Sequence, residues 1–179
     1  VVVSEALNLQ SNIRTMDIGA SQRSATSSLI SLLESGVESD ALLVSSEHRR
    51  SKAGSRSEML WGDAAGALII GHKNVIAECI GVETSAVDFV DHYRGEESDF
   101  DYDWEERWIR DEGYLKLIPP VVEKLLSKAN IKSEEIAHLV LPSDQARAPG
   151  AIAKKLGVAQ EAIVDNQISS VGVAGAAQP

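Results

Sequence analysis

Few side chains in this sequence combine a reactive type with a setting for chemistry. There is one thiol, Cys79, and four imidazoles, at 48, 72, 92 and 138. The histidines lie far apart and no Cys-x-x-Cys pair accompanies them, so no metal-ligand spacing is present. A lone cysteine cannot close an intrachain disulfide, which points to a reducing cytoplasm. Cys79 sits in an apolar stretch and reads as a small core residue. Ser21 and Ser24 offer hydroxyls where a helix begins, with no evident base beside them. Ser143 and Asp144 make either a polar site or an ordinary turn at a strand end. Residues 46–60 form a polar, basic loop with His48, Arg49, Arg50, Lys52 and Arg56. It could meet phosphates or an acidic partner, or simply be solvated. Residues 88–113 mix carboxylates with Tyr93, Phe100, Tyr102, Trp104 and Trp108. That composition suits a capping flap, a protein interface or plain surface.

The whole chain narrows the classes. Its 179 residues suffice for a domain with a real core, and 44% of them are apolar. A formal net charge of −10 argues against a nucleic-acid surface. No run approaches the roughly 18 apolar residues of a membrane span, and no signal peptide or repeat is visible. The chain starts at Val1 without Met and ends on a small-residue segment resembling a helix start. It therefore reads as a piece of a longer protein.

The elements that must position these residues follow from the apolar pattern. Residues 4–9 read as a helix end and 16–18 as a short strand. Residues 21–35 have apolar positions at helical spacing, with Gly36 as the stop. The other face of that helix is Ser- and Thr-rich, which suits close helix packing. Residues 41–45 form a buried strand. The stretch 61–71, Trp-Gly-Asp-Ala-Ala-Gly-Ala-Leu-Ile-Ile-Gly, runs from a small-residue loop into a strand buried on both faces. Gly62 and Gly66 let another backbone come close, and Asp63 caps a turn. Residues 75–84 alternate in part and read as a strand. Residues 114–129 form a helix with Pro119 and Pro120 near its start. Ser133 and the two glutamates after it signal a capped turn. Residues 137–141 are a strand, 149–156 a helix stopped by Gly157, and 162–165 a last strand. Strands alternating with helices give an α/β fold with a covered sheet.

The stretch 61–71 also resembles the condensing enzymes of the thiolase superfamily, in their ketoacyl-ACP synthase III and HMG-CoA synthase branches. Residues 17–28 are similar to the nucleophile segment, 42–46 and 61–71 to the two strands after it. Residues 88–94, with Trp104, Trp108, Gly113 and Tyr114, resemble an Asp-Phe-Trp-Arg…Tyr region of HMG-CoA synthases. Residues 139–157 resemble the segment that carries a catalytic histidine. The resemblance implies a layered α/β/α/β/α sandwich of two similar halves, present as an incomplete piece. Residues 1–73 would end the N-terminal half and 74–179 would form a truncated C-terminal half.

The catalytic positions do not follow the scaffold. The family's cysteine falls on Gln22 and its histidine on Pro142, beside Ser143 and Asp144. Its asparagine falls on Ser170, with Asn166 about four positions out of register. The acid/base glutamate of HMG-CoA synthases would lie upstream. Coenzyme A thioester is the ligand that the resemblance implies, with Arg49, Arg50 and Lys52 toward its phosphates and no resident cofactor or metal. Three functions are then open. The first is an HMG-CoA synthase-like subunit without its own nucleophile, in a complex with a thiolase and an OB-fold, zinc-ribbon protein. The second is an acyltransferase, Claisen or retro-aldol enzyme working on acyl-CoA through non-cysteine residues, with Gln22, Ser143, Asp144 and Ser170 lining its pocket. The third is a module that only binds acyl-CoA. A homodimer or hetero-oligomer is expected, without nucleic acid or membrane.

Overall fold

The computed structural model describes residues 2–19, 21–36 and 38–178. In chain order its elements are α1 (Val2–Ala6), α2 (Ser24–Glu34), β1 (Ala41–Glu47), α3 (Arg56–Leu60), β2 (Ala64–Ile70), β3 (His92–Tyr93), β4 (Tyr102–Asp103), α4 (Glu106–Trp108), a π-helical turn (Ile109–Tyr114), α5 (Leu115–Ala129) and α6 (Ala148–Leu156). Short 3₁₀ turns follow at Ser133–Glu135, Gln160–Ala162 and Gly175–Ala177.

The core lies where α6 meets α5. Ile152, Ala153 and Leu156 of α6 are buried with Val158 and Ala162, and Tyr114, Leu115, Ile118 and Val122 pack against them. These α6 positions recur at helical spacing, so one face of the helix is apolar. Both long helices stop in the left-handed conformation, at Asn130 (φ 54°) and Gly157 (φ 73°). Pro119 and Pro120 stand inside α5 and remove two backbone donors. The carbonyl that Pro119 leaves without its usual partner is that of Leu115. It accepts instead from the Lys155 ammonium of α6, at 2.6 Å. One lysine thus ties the two core helices and satisfies the gap left by the proline.

β1 and β2 pair antiparallel, from Ala41 opposite Ile70 to Glu47 opposite Ala64. The C-terminal segment docks on this pair. Gly62 donates its N–H to Val173 (3.2 Å), and Val173 donates to Leu60 (2.7 Å). A Cβ at Gly62 would lie 1.8 Å from the Val171 carbonyl oxygen, and Gly172 opposite it has φ +83°. Close backbone approach therefore requires glycine at 62, whereas at Gly66 the nearest atom to such a Cβ is 3.9 Å away. Farther along, the Ser45 hydroxyl donates to the Ala176 carbonyl and the Ala176 N–H donates to Glu47.

Several expectations are corrected. β2 is half-open rather than buried on both faces: Leu68 is 49% and Ile69 78% exposed, because only β1 flanks it among the described residues. Residues 75–84 form no strand, and Ile76 and Ile80 lie exposed. Cys79 is exposed, not a core residue. Residues 16–18 form no strand, and the first helix is α1, ending at Ala6. The basic loop folds in part into α3, where the Ser55 hydroxyl accepts from the Glu58 N–H. The strands at 137–141 and 162–165 shrink to one parallel bridge, Leu139 with Ile163. Asp63 accepts from or pairs with His48 at 2.7 Å. The serines of α2 bond back to their own helix, Ser28 to the Ser24 carbonyl and Ser31 to that of Ser27, so this face satisfies itself. Among the described residues no helix is long and apolar enough to cross a membrane.

Candidate active site

Gln22 stands just ahead of α2, where the resemblance expected a thiol. Its amide nitrogen lies 2.9 Å from Nε2 of His92. The other ring nitrogen of His92, Nδ1, lies 2.7 Å from the Asp91 carboxylate. Asp91 raises the pKa of His92 and His92 lowers that of Asp91, each chiefly through their shared hydrogen bond. Chemistry fixes the tautomer in this arrangement. An amide NH₂ only donates, so Nε2 accepts from Gln22 while Nδ1–H donates to Asp91. Protonating Nε2 requires the Gln22 amide to turn its oxygen to the ring. Asp91 favours that protonated state as pH falls, and the amide dipole follows it. The Asp91–His92 pair is thus an oriented base beside the start of α2.

A second group lies on Tyr114, the last residue of the π-helical turn. Its pKa is pushed up to about 12, first by burial and then by the negative charge of Asp144 and Asp91. The Ser143 hydroxyl and Arg56 act in the opposite direction. Tyr114 is therefore a neutral phenol across ordinary pH, a donor rather than a base. π-turns of this kind interrupt helices at functional sites in many proteins. Gly113 in this turn lets Phe89 pack against its backbone, since a Cβ on it would come within 2.7 Å of the Phe89 ring. Phe89 in turn stacks on Trp108 at 4.5 Å. That packing connects the segment bearing Asp91 and His92 to the segment bearing Tyr114.

The loop from Pro142 to Gln145 is held from three sides. Arg56, at the first turn of α3, donates to the Asp144 carboxylate at 2.7 Å and to the Asp144 carbonyl at 3.1 Å. Burial depresses the Arg56 pKa, but the Asp144 contacts outweigh it and the net shift is upward. The buried Gln145 amide donates to the Glu106 carbonyl, and its N–H donates to the Ser143 hydroxyl. Asn166 donates to the Ser143 carbonyl at 3.2 Å.

The sequence-derived positions now sort by contact. Gln22, Ser143 and Asp144 reach the network around His92 and Tyr114. Pro142 is exposed. Ser170 is also exposed and bonds only to the Gln167 carbonyl, within its own turn. Asn166, not Ser170, is the residue that bonds to the Ser143 loop. Asp91, His92 and Tyr114 were quoted only as part of a resembling segment; their signal was the pairing of an acid with a histidine in an aromatic stretch. In the basic loop, the Arg49 guanidinium lies 3.9 Å over the Trp61 ring. Its Nε and one Nη are buried without a hydrogen-bond partner. Burial lowers its pKa, against Glu47, Asp101 and Asp103. Arg50, Lys52, Arg56 and Trp61 line a recess of about 100 Å³ together with Asp101 and Asp103, so its charge is mixed. The Arg49 guanidinium thus covers one face of Trp61, and its two orphaned nitrogens are closed to solvent, so the cationic groups open to the recess are Arg50, Lys52 and Arg56. Two of the carboxylates named here oppose a bare phosphate. Among the described residues no group of three or more His, Cys, Asp or Glu side chains is placed to hold a metal.

The fold is that of the thiolase-like condensing enzymes, a mixed α/β architecture. The chain superposes on 3-oxoacyl-(acyl-carrier-protein) synthase III of Aquifex aeolicus VF5 with a TM-score of 0.80 at 19% identity, covering 99% of this chain and 59% of that one. The synthase III of Thermus thermophilus gives 0.77 at 18% identity, over 99% and 60%. A protein named MvaS, in complex with 3-hydroxy-3-methylglutaryl coenzyme A, gives 0.72 at 17% identity, over 98% and 52%. The chain thus spans between half and three-fifths of the length of these neighbours, and at such identities the likeness carries the fold alone. No protein-family model matches the sequence.

Proposed function

We propose that this chain is the condensing-enzyme part of a protein that acts on coenzyme A thioesters by acid–base chemistry, making or breaking a carbon–carbon bond without a cysteine nucleophile. The carrying observation is the Asp91–His92 pair hydrogen-bonded to Gln22, where the fold's nucleophile would start its helix. A Claisen step by acyl transfer must park the acyl group on a nucleophile. Gln22 offers none, and Cys79 is exposed in another segment. An aldol or retro-aldol step needs only a base and a donor. In the cleaving direction, His92 Nε2 takes the proton of a 3-hydroxyl group. The alkoxide collapses to a carbonyl, the C2–C3 bond breaks, and its electron pair passes into the thioester enolate. Tyr114, held neutral, donates a hydrogen bond to the charge that develops. The enolate then takes a proton at C2, leaving an acyl-CoA and an aldehyde or ketone.

The coenzyme A part of this reading is supported by Arg50, Lys52 and Trp61 of the recess, and by fold neighbours whose names carry 3-hydroxy-3-methylglutaryl-CoA and CoA. In this reading residues 1–73 close one thiolase-like half and 74–179 belong to the other. Pro142 and Ser170 leave the site, and Asn166 replaces Ser170 as the residue that holds the Ser143 loop. A subunit role beside a thiolase and an OB-fold, zinc-ribbon protein is the second reading. It is favoured by the open aromatic run Tyr93, Tyr102 and Trp104, whose rings lie in sequence within 5.4 and 6.3 Å of one another. The experiment is turnover of a 3-hydroxyacyl-CoA by the full-length protein, alone and with co-purifying partners. Loss of about a hundredfold or more in His92→Gln and Tyr114→Phe is expected. Undiminished turnover in His92→Gln would overturn the acid–base reading.

A further inference from the structure

A cleft of about 400 Å³ opens beside α5, walled by Arg23, Phe89, Leu117, Ile118, Val121 and Val122, with residues 85–87. Each wall lies a few residues along the chain from a member of the polar network. Arg23 follows Gln22 in the chain. Phe89 lies three residues before His92 and is locked against Trp108 and over Gly113. The four α5 side chains stand at i+3, i+4, i+7 and i+8 from Tyr114, a single helical stripe. Three separate segments that line the cleft are thus the ones that carry Gln22, His92 and Tyr114. Its lining is apolar apart from Arg23 and Ser85, and the Arg23 guanidinium makes no ion pair among the described residues.

We infer that this cleft takes the bulky apolar acyl body of the thioester whose reacting carbons lie at His92 and Tyr114. The inference rests on the coenzyme A reading and names its substrate class: an acyl group on the order of ten carbons, as chain or ring, rather than acetyl. The volume sets the size, since a water-sized group takes about 30 Å³ and the cleft holds roughly a dozen. The walls set the chemistry. Leu117, Ile118, Val121 and Val122 give dispersion contacts and remove methylenes from water, and none of them offers a polar partner. Arg23 sits on the rim next to Gln22, where an oxygen of the thioester end would meet it. A fully buried methylene tightens binding about fourfold, and an open cleft about twofold. Eight added methylenes thus give a gain of about 250-fold at the most.

The test is calorimetric binding of free coenzyme A, acetyl-CoA and decanoyl-CoA to the full-length protein and to Val121→Trp, with Leu117→Phe as the milder filling variant. Folding of each variant is checked by circular dichroism. Decanoyl-CoA should bind at least tenfold more tightly than acetyl-CoA, and either filling variant should erase that difference. Equal affinity for the two thioesters, with free coenzyme A binding, overturns the cleft inference and leaves the coenzyme A reading standing. So does a chain-length gain that survives in a folded filling variant. If no coenzyme A compound binds, the coenzyme A reading fails, and sodium decanoate decides the cleft. Decanoate binding that Val121→Trp weakens tenfold supports an apolar ligand site, and no decanoate binding overturns it.

Discussion

Gly62→Ala should unlatch the C-terminal segment from the sheet, and Gly66→Ala, four residues away in the same motif, should not. At Gly62 the added Cβ would fall 1.8 Å from the Val171 carbonyl oxygen, 2.9 Å from its carbon and 3.3 Å from the Gly172 Cα. All three are backbone atoms, so no side chain can swing away. The segment must retreat, and the bonds between Gly62, Leu60 and Val173 at 3.2 and 2.7 Å are lost. Two backbone hydrogen bonds are worth about 1 kcal/mol each, and displacing the packed segment raises the total to about 2–4 kcal/mol. At Gly66 the nearest atom lies at 3.9 Å, an ordinary contact, so the change stays within about 0.5 kcal/mol. Urea unfolding of the full-length protein reads this directly. For a slope of about 2–3 kcal/mol per molar, Gly62→Ala lowers the midpoint by about 1 M, and Gly66→Ala leaves it in place. Equal midpoints for the two variants would refute the close backbone approach deduced at Gly62.

Other expectations follow from the same contacts. Lys155→Met leaves the Leu115 carbonyl without the ammonium that replaces the missing Pro119 donor, and thermal unfolding should show a loss of about 1 kcal/mol. Asn166→Ala should lower turnover about tenfold by freeing the Ser143 loop, whereas Ser170→Ala should leave it within about twofold, as steady-state kinetics would show. The pH dependence has a definite sign. The raised pKa of His92 contributes stability that is present below about 6.5 and is lost as pH rises through its folded value. The lowered pKa of Asp91 contributes stability present above about 3.9 and lost as pH falls through its folded value. The pair is therefore strongest between about pH 4 and 6.5. With both groups half-exposed, its worth is about 0.5 kcal/mol in unfolding series across pH. As a base His92 must be neutral, so the acidic limb of the rate profile should lie above 6.5, and Asp91→Asn should move it down.

Much of the scaffold was legible because local rules and tertiary structure agree there. The helical spacing that marks 21–35, 114–129 and 149–156 yields α2, α5 and α6, and the left-handed stop at Gly157 is where its residue type placed it. The strand at 75–84 was not, because alternation states which faces a strand would have and says nothing about a neighbour to pair with. The runs at 137–141 and 162–165 do meet, through the Leu139–Ile163 bridge, but over one pair only. The candidate site was less legible for a related reason. Gln22, Ser143 and Asp144 are candidates by position along the chain, and their contacts are visible only in the fold. His92 and Tyr114 come from a segment with no simple period, whose two parts are joined by the Phe89–Trp108 stack and the contact of Phe89 with Gly113.

The central claim is that acid–base chemistry stands in for cysteine acyl transfer, and one mass spectrum tests it. The full-length protein is incubated with propanoyl-CoA in deuterated water, and the masses of protein and thioester are read together. The account predicts deuterium at C2 of the thioester, dependent on His92, and an unmodified protein. An acyl adduct on the protein, with no deuterium in the thioester, would contradict it.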